Sequence, residues 1–215
     1  MVKPWKGHEW GAEKATALMD WCRELGVNEL TLYAFSVQNF NRPKEEFDYL
    51  MRIFRDSYRK LKAKLDEDPQ RADKENTRIV FIGRLSVFPQ DVQDAMRELM
   101  DATRKYDGFR VNIAMGYGGR EEVLDAVRKI GERIKRGELD VDAINEEVFE
   151  KSLYMDSEPD LIIRTGGDRR TSNFLIWQSH YSEWAFIEKL WPEFEKEDFV
   201  ACLEDYSNRQ RRFGK

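Results

Sequence analysis

Apolar positions change their period repeatedly along this chain, and each change marks a new element. Ala15, Met19 and Cys22 recur at helical spacing within 11–25, flanked by Ala12 and Leu18, and Gly26 stops the run. "ELTLYAF" (29–35) follows as a strand rich in β-formers. The pattern then predicts a long helix over 43–65, with Pro43 at its start, where a missing N–H costs nothing. Further strands are expected at 78–83 ("RIVFIG"), 109–115 ("FRVNIAM"), 160–164 ("DLIIR") and 183–187. Helices are expected at 89–105, 120–136, 142–152 and 196–212. The polar, acidic stretch 65–78 carries a proline and reads as a long loop. No internal repeat or low-complexity tract interrupts the series.

Strands alternating with helices predict an α/β protein with a mainly parallel central sheet, flanked by helices on both faces, in a single domain over 1–215. Ligands of such sheets bind at the carboxyl ends of the strands. Three strand exits turn abruptly from apolar to small, polar or basic residues: "AFSVQNFNRP", "AMGYGGRE" and "RTGGDRRTSN". In one parallel sheet all three face the same rim.

Composition narrows the function classes. Acidic residues outnumber basic ones 41 to 36, giving a net charge of -5. Nucleic-acid binders usually carry a basic excess, so no nucleic-acid partner is expected, and the Arg209–Arg212 cluster remains only a local anion candidate. No apolar run approaches the roughly 18 residues that span a bilayer. The opening "MVKPWKGHEWG" lacks the apolar region of a secretory signal, which points to the cytoplasm. Cys22 and Cys202 have no metal-ligand spacing and read as buried thiols in a reducing compartment. His8 and His180 cannot form a zinc site alone.

The richest chemistry lies in "IIRTGGDRRTSNFLIWQ" (162–178). Gly166 and Gly167 permit positive φ and close backbone approach. Arg164 and Arg170 offer forked donors suited to phosphate oxygens, and Ser172 adds a hydroxyl. Such a set asks for a compact, highly charged anion such as a diphosphate. A solvated loop with its arginines paired to nearby acids is the competing reading. It balances the functional one at Arg169 and is weaker at Arg164, which a buried strand delivers to the sheet rim. There is no Walker lysine and no GxGxxG opening a helix, so this is not a nucleotide fingerprint.

Eight segments in order carry a resemblance that spans nearly the whole chain. They are "GHEWGAEKA", "LTLYAFSVQNFNRP", "IGR", "NIAMGYGGREE", "PDLIIRTGGDRRTSNFLIWQ", "YSEWAF", "LWPEF" and "RQRRFG". The chain resembles the cis-prenyltransferases, the undecaprenyl diphosphate synthase family. The resemblance implies sequential addition of isopentenyl diphosphate to an allylic diphosphate, farnesyl or geranylgeranyl, with Mg²⁺ and new cis double bonds. It places Arg164, Arg170 and Ser172 on the diphosphate of isopentenyl diphosphate, and Glu183 at the magnesium ion. Ser36, Asn39 and Arg42 match the loop beside the reacting centre, with Asn39 and His8 as the catalytic candidates. His8 also reads as a helix cap or surface residue. Phe40 stands where many relatives carry tryptophan and keeps an aromatic wall for substrate. Gly118, Gly119 and Arg120 match a rim motif with no role beyond shaping the pocket. The terminal Arg212 and Gly214 match a tail that reaches into a partner's site, implying a homodimer. A long apolar product implies peripheral membrane contact for its release.

The growing chain needs an apolar tunnel. Phe47, Leu50, Met51, Phe54 and Tyr58 on one predicted helix, and Ala15, Leu18 and Met19 on another, are candidate walls. Plain core packing is the preferred reading for most of them.

One departure matters. Family members open with a strand ending in Asp-Gly-Asn, whose amides hold the allylic diphosphate and whose aspartate assists magnesium. Here only "MVKPWKGH" precedes Glu9, and it contains no acid. Either the biological start lies upstream of Met1, or the chain is a non-catalytic supporting subunit of a heteromeric synthase. The retained "RTGGDRRTS" favours the first. On that reading the 215-residue chain is weakly active or inactive alone, and an upstream-extended form is competent.

Overall fold

A computed structural model describes residues 6–209, so Arg212 and Gly214 lie outside the described residues. The described residues fall into two compact units, divided between Gly116 and Tyr117. In chain order the first contains α1 (Gly7–Glu24), β1 (Glu29–Ser36), α2 (Lys44–Glu67), α3 (Pro69–Glu75), β2 (Thr77–Ile82) and α4 (Gln90–Thr103), with β3 (Phe109–Tyr117) closing it. The second holds α5 (Gly119–Lys135), α6 (Glu146–Glu150), β4 (Leu161–Thr165), β5 (Glu183–Ile187) and α7 (Lys196–Asn208).

The α/β expectation holds, with the strands distributed over two sheets. In the first unit they lie in the order β1-β3-β2. β2 and β3 run parallel, in register from Thr77 opposite Phe109 to Ile82 opposite Ala114. β3 reads as a nearly continuous apolar run because it is the middle strand: Val111, Ala114 and Met115 are all fully buried. Its one buried amide, Asn112, donates to Glu29 Oε1 at 2.6 Å and Thr31 Oγ1 at 3.2 Å, so no polar group is stranded. α4 packs on β2 and α2 through Val92, Ala95, Met96 and Leu99, a stripe at i, i+3, i+4 and i+7. In the second unit β4 and β5 pair in parallel, with Arg164 opposite Phe186.

The long loop expected at 65–78 is a correction: Pro69–Glu75 is helical. Its proline occupies the first turn, where no N–H is needed, and Asp68 caps it by accepting from Arg71 N at 3.0 Å. Asn76, left-handed at φ 42°, closes the far end. One buried side chain, Ala72, explains why periodicity missed it. α1 also starts earlier than expected, placing His8 in its first turn. Around Asp142–Ser152 only a 3-10 turn and the five-residue α6 form.

Both thiols are buried as expected, and burial pushes Cys22 up to about 12, too high for a nucleophile. Leu18, Met19, Leu50, Met51 and Tyr58 are core residues, while Phe47 and Phe54 are half-buried. Among the described residues no helix is long and apolar enough to cross a membrane.

Candidate diphosphate-binding site

The first unit gathers its candidate residues just beyond β1. Ser36 ends the strand, and a 3-10 turn over Val37–Asn41 follows. Asn39 Oδ1 accepts from Ser36 N at 2.8 Å and its carbonyl from Arg42 N at 3.1 Å, which fixes the turn. Phe40 packs edge-on to Phe35 at 5.0 Å and against Phe88 at 5.2 Å, so it lines an aromatic cluster.

His8 and Arg42 meet on a residue that sequence reasoning did not single out. Glu46 lies within hydrogen-bond distance of His8 Nε2 at 3.2 Å and accepts from Arg42 Nη1. Burial raises the Glu46 pKa, but hydrogen bonds from His8 and Arg42 outweigh it and hold the carboxyl below its ordinary value. The i,i+4 spacing from Arg42 was the available clue. A lowered folded pKa contributes stability above the unfolded value and loses it as pH falls through the folded one. Glu46→Gln should therefore cost at most about 1 kcal/mol at neutral pH, because the pair is partly exposed. That difference should vanish on acidification, as thermal unfolding at several pH values would show.

The second unit builds the arginine turn. Gly166 and Gly167 take φ of 91° and 77°, and their amides donate to Lys189 O and Ile187 O, clipping the turn to the end of β5. Arg164, on β4, donates through Nη1 to Ser172 Oγ at 2.7 Å and to the Arg170 carbonyl. Arg170 forks onto Asp168 at 2.8 and 2.5 Å, and Arg164 Nη2 reaches the same carboxylate at 3.3 Å. The expected trio of Arg164, Arg170 and Ser172 thus converges, with Asp168 between the guanidiniums as an internal anion. Arg169 is exposed and outside this pairing. Arg164 Nε is buried and has no hydrogen-bond partner among the described residues, an unmet donor inside the cluster.

Gly118 and Gly119 are bare because the chain passes tightly over them. A Cβ on Gly119 would lie 2.7 Å from Ile176 Cγ1, and one on Gly118 would lie 2.7 Å from Asn173 Nδ2. Asn173 thereby joins two of the three strand exits, "GYGGRE" and "RTGGDRRTSN".

Glu183 stands on β5 and accepts from Arg209 Nη1 at 2.6 Å. Among the described residues no group of three or more His, Cys, Asp or Glu side chains is placed to hold a metal ion. The described residues therefore do not form a protein-only magnesium cage.

Two guanidiniums, a hydroxyl and an unmet buried donor thus gather at one strand exit, a donor set suited to an oxyanion. The chain belongs to the undecaprenyl diphosphate synthase family, whose model matches residues 2–214. It is 46% identical over 213 residues to a tritrans,polycis-undecaprenyl-diphosphate synthase (geranylgeranyl-diphosphate specific) of Methanocaldococcus jannaschii, covering 97% of this chain and 74% of that one. It is 42% identical to the Pyrococcus horikoshii protein of the same description, covering 99% of this chain and 79% of the relative. The crystal structure of lavandulyl diphosphate synthase from Lavandula x intermedia, in complex with dimethylallyl diphosphate, superimposes with a TM-score of 0.91. It is 35% identical, and the match covers 98% of this chain and 89% of that one.

Proposed function

We propose that the chain is a transferase that lengthens geranylgeranyl diphosphate with isopentenyl diphosphate units, setting each new double bond cis. The observation that carries this reading is the Arg164 cluster: a hydroxyl at 2.7 Å, a second guanidinium, and a buried Nε with no acceptor among the described residues. Those donors suit the diphosphate of isopentenyl diphosphate. The allylic C–O bond breaks, the alkene of the isopentenyl unit attacks the resulting cation, and one diphosphate and one proton leave per cycle. The protein clamps charge and aligns carbon atoms away from water. Phe40 and its aromatic neighbours supply the apolar wall near Asn39, while His8 and Arg42 stand ready for the allylic diphosphate. Glu183 is the carboxylate this chain would offer to Mg²⁺, which when bound would supply positive charge to offset that of the diphosphate. The homodimer, with Arg212 and Gly214 reaching a partner's site, rests on the family resemblance.

The choice of geranylgeranyl over farnesyl diphosphate is supported by the geranylgeranyl-diphosphate specificity in the names of the Methanocaldococcus jannaschii and Pyrococcus horikoshii relatives. Radiolabelled isopentenyl diphosphate should be incorporated faster with the C20 starter than with the C15 one. Equal rates would remove the starter preference. No incorporation by folded protein with either starter would remove the elongation reading.

A further inference from the structure

We infer that Asn173 is a positioning residue that holds the arginine cluster in its binding geometry by fastening that loop to the first turn of α5. This rests on the reading that Arg164, Arg170 and Ser172 hold the diphosphate of isopentenyl diphosphate.

A helix leaves its first N–H groups without partners in its own chain, and a side chain just before the helix commonly accepts from one of them. Gly118, which precedes α5, has no side chain to offer. Asn173 replaces it from far along the sequence, using its main-chain carbonyl and both polar atoms of its side chain. Its carbonyl accepts from Gly119 N at 2.7 Å, its Oδ1 accepts from Arg120 N at 2.9 Å, and its Nδ2 donates to Glu121 Oε2 at 2.8 Å. The bare backbone at Gly118 and Gly119 is what admits it.

The fastening matters because the loop is held in an uncommon conformation. Ser172 and Asn173 are both left-handed, at φ 51° and 64°. Asparagine tolerates this region, but serine gains little there and stays only where its surroundings hold it. The left-handed pair directs Ser172 Oγ to Arg164 Nη1. Freed from α5, Ser172 would relax toward ordinary negative φ, and its hydroxyl would leave the arginine. A plain helix cap would show only as stability, whereas a positioning residue also governs affinity for one substrate.

The test is titration calorimetry on the folded chain with magnesium, below the melting temperature of every variant. Asn173→Asp keeps the Oδ1 acceptor but sets a carboxylate against Glu121. It should weaken isopentenyl diphosphate binding about tenfold, the scale of one ordinary hydrogen bond. Affinity for the allylic diphosphate should change less than about twofold, since it is assigned to other residues. Adding Glu121→Gln restores a donor facing the new carboxylate and should recover most of the loss. Binding of isopentenyl diphosphate unaltered by Asn173→Asp, while Arg164→Ala weakens it, would overturn the inference and leave the proposed function standing. So would an unrescued double variant, or an equal fall for both substrates. If Arg164→Ala also binds normally, the arginine-cluster reading itself fails.

Discussion

Arg164→Ala should weaken isopentenyl diphosphate binding by about 1.5–3 kcal/mol, roughly 10- to 150-fold, and should do so more than any other single change in the turn. The side chain is the hub of the cluster, touching Ser172, the Arg170 carbonyl and Asp168 at once. Its buried Nε adds a donor that no described residue satisfies. Lysine at this position would keep the charge and lose the fork, so Arg164→Lys should recover only part of the affinity. Calorimetry with both variants separates charge from geometry, and unchanged affinity in the alanine variant would take Arg164 out of the site.

The second large effect is on stability. Glu122 lies on α5 with 1% of its surface exposed. Its Oε1 accepts from Tyr154 N at 2.8 Å and Gln178 Nε2 at 3.1 Å, and its Oε2 accepts from the Tyr117 hydroxyl. Glu122→Ala removes the acceptor these donors share, while Gln178 Nε2 keeps the Met155 carbonyl at 3.1 Å, and should cost about 2–3 kcal/mol in denaturant unfolding. Glu122→Gln keeps an acceptor for the first two, and its amide donates to the Tyr117 oxygen, so the cost should stay near 1 kcal/mol. Burial raises the Glu122 pKa despite the hydrogen bonds that lower it. A raised folded pKa favours the fold below the unfolded value, near pH 4, and that contribution is lost as pH rises through the folded one. The glutamine variant should therefore gain on the wild type as pH rises through that window. An alanine variant as stable as the glutamine one would show that the donors find other partners.

Much of the architecture was legible because burial follows period. The stripe on α4 and the apolar run of β3 announce themselves, since one packs a single face and the other packs both. The α3 helix was hidden because only Ala72 is buried and its proline, normally a breaker, sits where helices accept one. Arg164, Arg170 and Ser172 could be picked out as a donor set, because their residue types already suit an oxyanion. What the one-dimensional pattern could not show is pairing across the chain. Glu46 joins His8 to Arg42, and Asn173 caps a helix that begins at Gly119. The Arg42–Glu46 pair has its i,i+4 clue, but the contacts of Glu46 with His8 and of Asn173 with α5 depend on which elements the fold brings side by side.

Asp168 gives the arginine turn a further property. Because its carboxylate already sits between the guanidiniums, a ligand arriving there, on the proposed reading, would enter by exchange, one anion for another. A singly charged competitor would gain little over the resident group. A diphosphate, with several oxygens to distribute over the same forks, would gain more, so on the proposed reading the turn would discriminate by charge density and reclose on its own counterion once the ligand departs.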